Sequence, residues 1–239
     1  MRVLTLVLAS LVIAMSTQAT DAAAKVRVAL VTGVDHKAHD WKKSTPALRE
    51  LLEEEERLEV RIFEDPEWLA SDVLFDYDVV LLHFKNFDPF KREEQMRANL
   101  SSFAKNGGGV VVLHFACGAF EDWPEYRNLA GKVWDRKNTH DPRGPFTVNV
   151  VEKDHPITRG LTDFRTDDEL YICLAGEKPV ELLLAGRSRV TGKDHPLAFV
   201  LQYGKGRIFQ TVLGHDAKAL ATPEIATLLQ RACVWVGRR

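Results

Sequence analysis

Five histidines in this chain come directly after apolar runs. His36 and His39 follow KVRVALVTG, His83 follows DVVLL, His114 follows GGGVVVL and His215 follows RIFQTVLG. They are five of the eight histidines in 239 residues. Imidazole titrates near neutrality and serves as acid, base or metal ligand, so its repeated use at one kind of position says more than any single copy. His83 ends an almost wholly apolar run and reads first as a hydrogen-bonded core or rim residue. His155 and His195 both occur as Asp-His-Pro, where Asp and Pro favour a turn, and these two read as structural.

A second chemistry is suggested by GGGVVVLHFACGAF, residues 107–120. A sharp strand-to-helix turn presents a nucleophile well, and a cysteine at its tip would suit amide or ester hydrolysis. Here the spacing puts the tip near His114 to Ala116, so Cys117 already enters the following helix. A helix N-terminus could still lower its pKa, so the cysteine reading stays open beside His114.

These side chains need a scaffold that aligns the ends of their strands. KVRVALVTG, LEVRIFED, DVVLLH and VVVLHF read as strands, three of them nearly all apolar, as in a parallel sheet covered on both faces. Between them, Ser44 and Thr45 offer capping hydroxyls, Pro46 suits a first turn, and Leu48, Leu51 and Leu52 form a stripe before the solvated acidic run at 53–56. KREEQMRANLSSFAKNGGG places Met96, Leu100 and Phe103 on one face and ends in a left-handed cap at Asn106 and Gly107. Strands alternating with helices predict an α/β fold: a single doubly wound, mainly parallel sheet flanked by helices. FTVNVVEKDHPI, ELYICL, VELLLAG and the pair PLAFVLQYGKGRIFQTVLGH read as shorter strands, so antiparallel additions are expected in the second half. A closing helix begins with Thr222 and Pro223 and buries Ile225, Leu228, Leu229, Ala232 and Val236. Ligands of such sheets bind at the carboxyl ends of the strands, where these histidines lie.

Bulk properties narrow the classes. Residues 1–24 read as a signal peptide: one basic residue, an apolar stretch from Val3 to Met15, then small residues with cleavage options after Ala19 or Ala24. That predicts a periplasmic or secreted destination and leaves 25–239 as one domain. No segment approaches the roughly 20 apolar residues of a permanent membrane span. With a net charge of −2 and no basic run, no nucleic-acid partner is implied. Three scattered cysteines, Cys117, Cys173 and Cys233, do not make a disulfide framework.

Taken as ordered blocks, HDWKKSTPAL, GGGVVVLHFACGAFEDWPEYRNLAGKVW, DHPITRGL, DELY and YGKGRIFQTVLGHD resemble the ThuA-like (trehalose utilisation) family over nearly all of residues 25–239. The resemblance implies a class I glutamine amidotransferase-like, flavodoxin-like fold without the cysteine nucleophile. It implies a role in catabolism of trehalose and related disaccharides, alongside an oxidoreductase that makes 3-keto-sugars. Matching the family's motifs, His39, Asp40, Trp41, His114, Trp123, His140, Asp168, Glu169, His215 and Asp216 become the site candidates. Two readings stay open. In the first, an enzyme acts on a disaccharide or 3-keto-glycoside by hydrolysis, elimination or isomerisation. His114 or His215 serves as base, Glu169 or Asp216 as acid or orienting carboxylate, and His39, Asp40, Trp41, Trp123, His140 and Asp168 as sugar contacts. A metal-assisted variant would place Zn²⁺ on ligands from His36, His39, His114, His140 and His215 plus one carboxylate. In the second, the same rim binds sugar without turnover. A homo-oligomer is compatible with either.

Overall fold

The computed structural model describes residues 24–137 and 139–237; the expected leader, residues 1–24, lies outside the described residues except for Ala24. The chain runs through β1 (Val26–Val31), α1 (Trp41–Glu53), β2 (Leu58–Phe63), β3 (Val79–Leu82), α2 (Glu93–Lys105), β4 (Gly109–Leu113) and α3 (Pro124–Ala130). It continues through β5 (Val133–Trp134), β6 (Gly144–Val150), β7 (Phe164–Asp168), β8 (Leu174–Ala175), β9 (Glu181–Arg187), β10 (Asp194–Tyr203), β11 (Gly206–Thr211), α4 (Ala217–Leu220) and α5 (Pro223–Gly237).

Nine strands form one sheet in the order β2-β1-β3-β4-β11-β10-β9-β6-β7. β2, β1, β3, β4 and β11 are mutually parallel, and β10, β9, β6 and β7 extend the β11 edge antiparallel. The expected antiparallel additions are therefore a continuation of one edge. β1, β3 and β4 are apolar because the sheet is covered there: every residue of β3 and β4 is buried. α5 packs against β11, β4 and β1 with α1 and α4 beside it, while α2 and α3 pack against β11.

Register decides what the strands present. Val31 pairs with Leu82, Leu82 with Val112, and Leu113 with Thr211, so the chain leaves β1, β3, β4 and β11 at one level. From β1 the chain moves outward to β2 and then returns past β1 to β3, which makes a switch point between β1 and β3. The loops carrying His36, His39, His83, His114 and His215 all open along this rim.

Two local expectations differ from the structure. α1 begins at Trp41 rather than near Pro46, so Ser44 and Thr45 are buried inside its first turns rather than capping it. Ser44 instead bonds the His83 Nε2 at 2.9 Å. Pro46, the sixth residue of α1, sits on its exposed face. The strand expected over ELYICL shrinks to β8 and a single His140–Tyr171 bridge, because the chain leaves the sheet after Asp168.

Gly33 turns the chain out of β1 toward the first two histidines. Its φ is +112°, and a Cβ there would lie 1.7 Å from the Glu64 carbonyl oxygen. Positive φ and a backbone collision leave glycine alone able to fit. Gly33→Ala is expected to cost about 3 kcal/mol in denaturant unfolding; an unchanged midpoint would contradict so close an approach.

Candidate functional site

His114 stands at the last bend of β4 with φ 50°, one of two non-glycine residues at positive φ among those described. A bulky residue in this region is strained, and such strain persists where the surroundings overdetermine it. The elbow that could present a nucleophile thus presents His114. Its ring is held from behind by Nδ1, which donates to the Val212 carbonyl at 2.5 Å. That bond assigns the proton to Nδ1 and turns the Nε2 lone pair into the crevice.

His39 is fixed by the same logic. The Ala38 N–H lies 3.1 Å from His36 Nδ1, which makes that nitrogen an acceptor, and His39 Nδ1, closer at 2.8 Å, is the donor that takes most of its single lone pair. His39 Nε2 is then also unprotonated, and it faces His114 Nε2 at 3.1 Å. Phe115 stacks beneath the His39 ring at 4.3 Å and makes the floor apolar.

From the other side come Glu169 and His215. Asp168 is fully buried and accepts from the N–H groups of Glu169 at 2.7 Å, Gly214 at 2.7 Å and His215 at 3.3 Å. One carboxylate thereby clamps the chain after β7 to the chain after β11. The clamp sets Glu169 Oε2 3.1 Å from His215 Nδ1 and 3.5 Å from His114 Nε2, with His215 Nδ1 3.2 Å from His114 Nε2. Tyr171 brings its hydroxyl to 2.9 Å from the same His114 nitrogen.

Charge follows from this packing. Burial and the facing imidazoles of His114, His215 and His36 push His39 down to about 2. For His215, burial opposes the charged form, but Glu169 and the nearby Asp168 and Asp216 outweigh it and raise the pKa above the ordinary imidazole value. Glu169 also resists charge through burial, yet its contacts with His114 and His215 hold it well below the usual carboxylate range. The centre therefore combines a carboxylate, an imidazole whose proton affinity that carboxylate raises and two imidazole lone pairs turned inward.

The structure places His39, His114, Glu169 and His215 together, with one ligand atom of each within 4.8 Å of all the others. His36 joins through His39, and half-buried His140 sets Nε2 3.7 Å from Glu169 Oε1. Asp40 and Trp41 line a shallow basin with His36 and His39; Asp40 pairs with Lys43, and the Trp41 indole donates to Asp35. Three of the candidates are engaged in the scaffold. Asp168 is fully buried and directs its oxygens at backbone N–H groups. Asp216 caps α4 through the Ala219 N–H and pairs with Arg143, so it positions the chain rather than reaching the reacting centre. Trp123 packs on Phe120 and Tyr126 and under Arg97, as part of the α3 packing.

Cys117 is fully buried, and burial pushes its thiol well above the ordinary range. His83 is buried against Ser44, while His155 packs on Trp235 and His195 bonds Thr191. Missing from the expected set are Tyr171, Trp134 and Phe87. Trp134 meets Tyr171 edge-on at 5.1 Å, and exposed Phe87 stacks on His36 at 5.2 Å. Tyr171 and Trp134 lie inside the DELY and GKVW blocks, but only the fold brings Tyr171 beside His114 and Trp134 against Tyr171.

The ThuA family, described as trehalose utilisation, matches residues 27–236. The chain belongs to the ThuA family. No curated protein matches the sequence. Among solved structures, this ThuA-family protein is similar to a ThuA-like protein from Parabacteroides merdae, with 25% identity and a TM-score of 0.79 over 89% of this chain and 90% of that one. A second ThuA-like protein, from Bacteroides uniformis, has 22% identity and a TM-score of 0.71 over 92% and 94% of the two chains. A GMP synthase subunit from Thermoplasma acidophilum shares the fold alone, at 12% identity and a TM-score of 0.53 over 88% and 95%.

Two outcomes are expected. Asp168→Asn presents an amide N–H₂ to backbone donors and should lower unfolding free energy by about 2 kcal/mol; a change within error would show that the clamp is not needed. Burial, then His114, pushes His83 down to about 3. Below the unfolded value near 6.5, the unfolded chain takes a proton that the folded one refuses, so stability falls as pH falls toward 3. Between pH 7 and 5, His83→Gln should lose about 2 kcal/mol less than the native protein; identical pH profiles would refute this.

Proposed function

We propose that this ThuA-family protein is an enzyme of carbohydrate catabolism that acts on a disaccharide or 3-keto-glycoside by proton transfer, through hydrolysis, elimination or isomerisation. The single observation that carries the reading is the convergence on His114 Nε2: His39, His215, Glu169 and the Tyr171 hydroxyl all come within 3.5 Å of it. A site that serves sugar binding alone has no need of four titratable groups around one imidazole nitrogen; proton transfer does. A proton beside a sugar ketone is acidic enough for such a centre to remove.

Recognition of the sugar would fall to the surroundings. Phe87 and Trp134 offer aromatic faces for the C–H side of a pyranose, and Lys85, over both rings at 5.4 and 5.0 Å, offers a donor for hydroxyls. This pair replaces Trp123 in that role. Asp40 and Trp41 edge the basin by which a ligand would reach His39. Export through the leader at 1–24 belongs to the same proposal. Among the described residues no helix is long and apolar enough to cross a membrane.

The test is to incubate the purified protein with trehalose, 3-keto-trehalose and other keto-glycosides and to follow products by mass spectrometry. Turnover is expected for at least one, with a loss of about a hundredfold or more in both His114→Ala and His215→Ala. Full activity in both folded variants would remove them from the mechanism.

A further inference from the structure

We infer that His39, His114, Glu169 and His215 form the binding site of one divalent transition-metal cation of the Zn²⁺ class. Proton placement points there first. His114 Nδ1 gives its hydrogen to Val212, and His39 Nδ1 gives its hydrogen to His36, so two Nε2 lone pairs confront each other across 3.1 Å. Two such pairs repel unless a positive centre lies between or beside them. Tyr171 supplies one hydroxyl hydrogen, but the His114 lone pair is approached by His39, His215, Tyr171 and Glu169 together, and it can accept well from only one donor. A cation would accept the lone pairs of His39, His114 and His215 and an oxygen of Glu169 at once, with the Tyr171 hydroxyl outside the ligand set.

Spacing agrees. Zn–N and Zn–O bonds of about 2.0–2.1 Å in a tetrahedron imply ligand–ligand separations of roughly 3.3–3.4 Å. Here four of the six ligand pairs lie at 3.1 Å (His39 to His114), 3.2 Å (His114 to His215), 3.5 Å (His114 to Glu169) and 3.1 Å (His215 to Glu169), and all six lie within 4.8 Å, a spread that small side-chain shifts around an ion would close. Each ligand is also held from outside, as metal ligands are: His114 by Val212, His39 by His36, and the backbone of Glu169 and His215 by Asp168. Neutral imidazoles with one carboxylate suit Zn²⁺, Co²⁺, Ni²⁺ or Fe²⁺ and do not suit Mg²⁺ or Ca²⁺, which prefer oxygen ligands. The cluster is buried to half-buried, so the ion would be shielded from bulk water on most sides.

Ion binding goes beyond the carbohydrate reading and needs no substrate; only its catalytic meaning rests on that reading. There the cation would polarise a ketone oxygen or a bound water, with His36 and His140 left outside the ligand set.

To test the assignment, the full chain is stripped with chelator, dialysed against Zn²⁺, Co²⁺ or Mg²⁺ separately, and measured for metal by mass spectrometry; visible absorption reports the Co²⁺ environment. The expected result is one equivalent of Zn²⁺ or Co²⁺, none of Mg²⁺, and the intense visible bands of a low-coordinate Co²⁺ site. His39→Ala and Glu169→Gln should each weaken the Kd by about a hundredfold or more, beyond the usual effect of a supporting residue, while His195→Ala binds as the native chain does. Substoichiometric metal in the native chain overturns the proposal, as does stoichiometric binding undiminished in both ligand variants. The Co²⁺ spectrum of the native chain decides the matter even if a variant fails to fold. Metal binding without sugar turnover would sink the carbohydrate reading alone, whereas full turnover by the chelated protein would sink a catalytic ion alone.

Discussion

Two imidazole nitrogens stripped of their protons by bonds on their far sides, and held face to face at 3.1 Å, set the terms for everything around them. That arrangement is costly unless the surroundings impose it, and each part of the surroundings does so. The Val212 carbonyl lies just past the end of β11, which pairs with β4, so the sheet itself aims the His114 ring. The turn after Gly33 brings His36 against His39. The Asp168 carboxylate ties Glu169 to His215 from a fully buried position, where breaking its bonds to backbone N–H groups has no compensation from water.

The sheet explains why these segments, so far apart in the chain, can meet. Parallel strands in matching register end at one level, and a reversal of strand order beside β1 opens a crevice there. Because β3 and β4 are buried throughout, they offer a stiff base on which small errors in loop position are not tolerated. Function is concentrated in the loops and rigidity in the strands. The antiparallel strands β10, β9, β6 and β7 widen this platform, and the last of them delivers Asp168 and Glu169 to the crevice.

Sharing a fold with a GMP synthase subunit does not carry its chemistry across, and the elbow shows why. In this ThuA-family chain the strained position after β4 holds His114, and the cysteine three residues later is sealed in the core. A thiol so buried resists ionisation, while an imidazole at the bend presents a lone pair without needing to ionise at all. The same backbone device thus turns a buried imidazole toward His39, His215 and Glu169 where another protein of this architecture could present a nucleophile.

Much of the scaffold is legible from residue patterns. The apolar runs of β1, β3 and β4 and the stripe of α5 have only one way to be buried, so period and composition alone predict an α/β sheet with histidines along its rim. The preference for His114 over Cys117 is also readable, from the length of the strand before the bend. The start of α1 is hidden because Ser, Thr and Pro form a good capping signal, and the buried Ser44–His83 bond that overrides it joins residues 39 apart. Asp168 and Asp216 resemble active carboxylates because sequence shows charge and not what already bonds it. Trp123 resembles a sugar platform for the same reason, whereas Trp134 and Phe87 reach the site only through the fold. Sequence by itself determined the strands, the helices and the supply of imidazoles, since those depend on local period and side-chain chemistry. Only tertiary structure decided which rings face one another and which nitrogen carries the hydrogen, because both depend on hydrogen-bond partners up to 101 residues away.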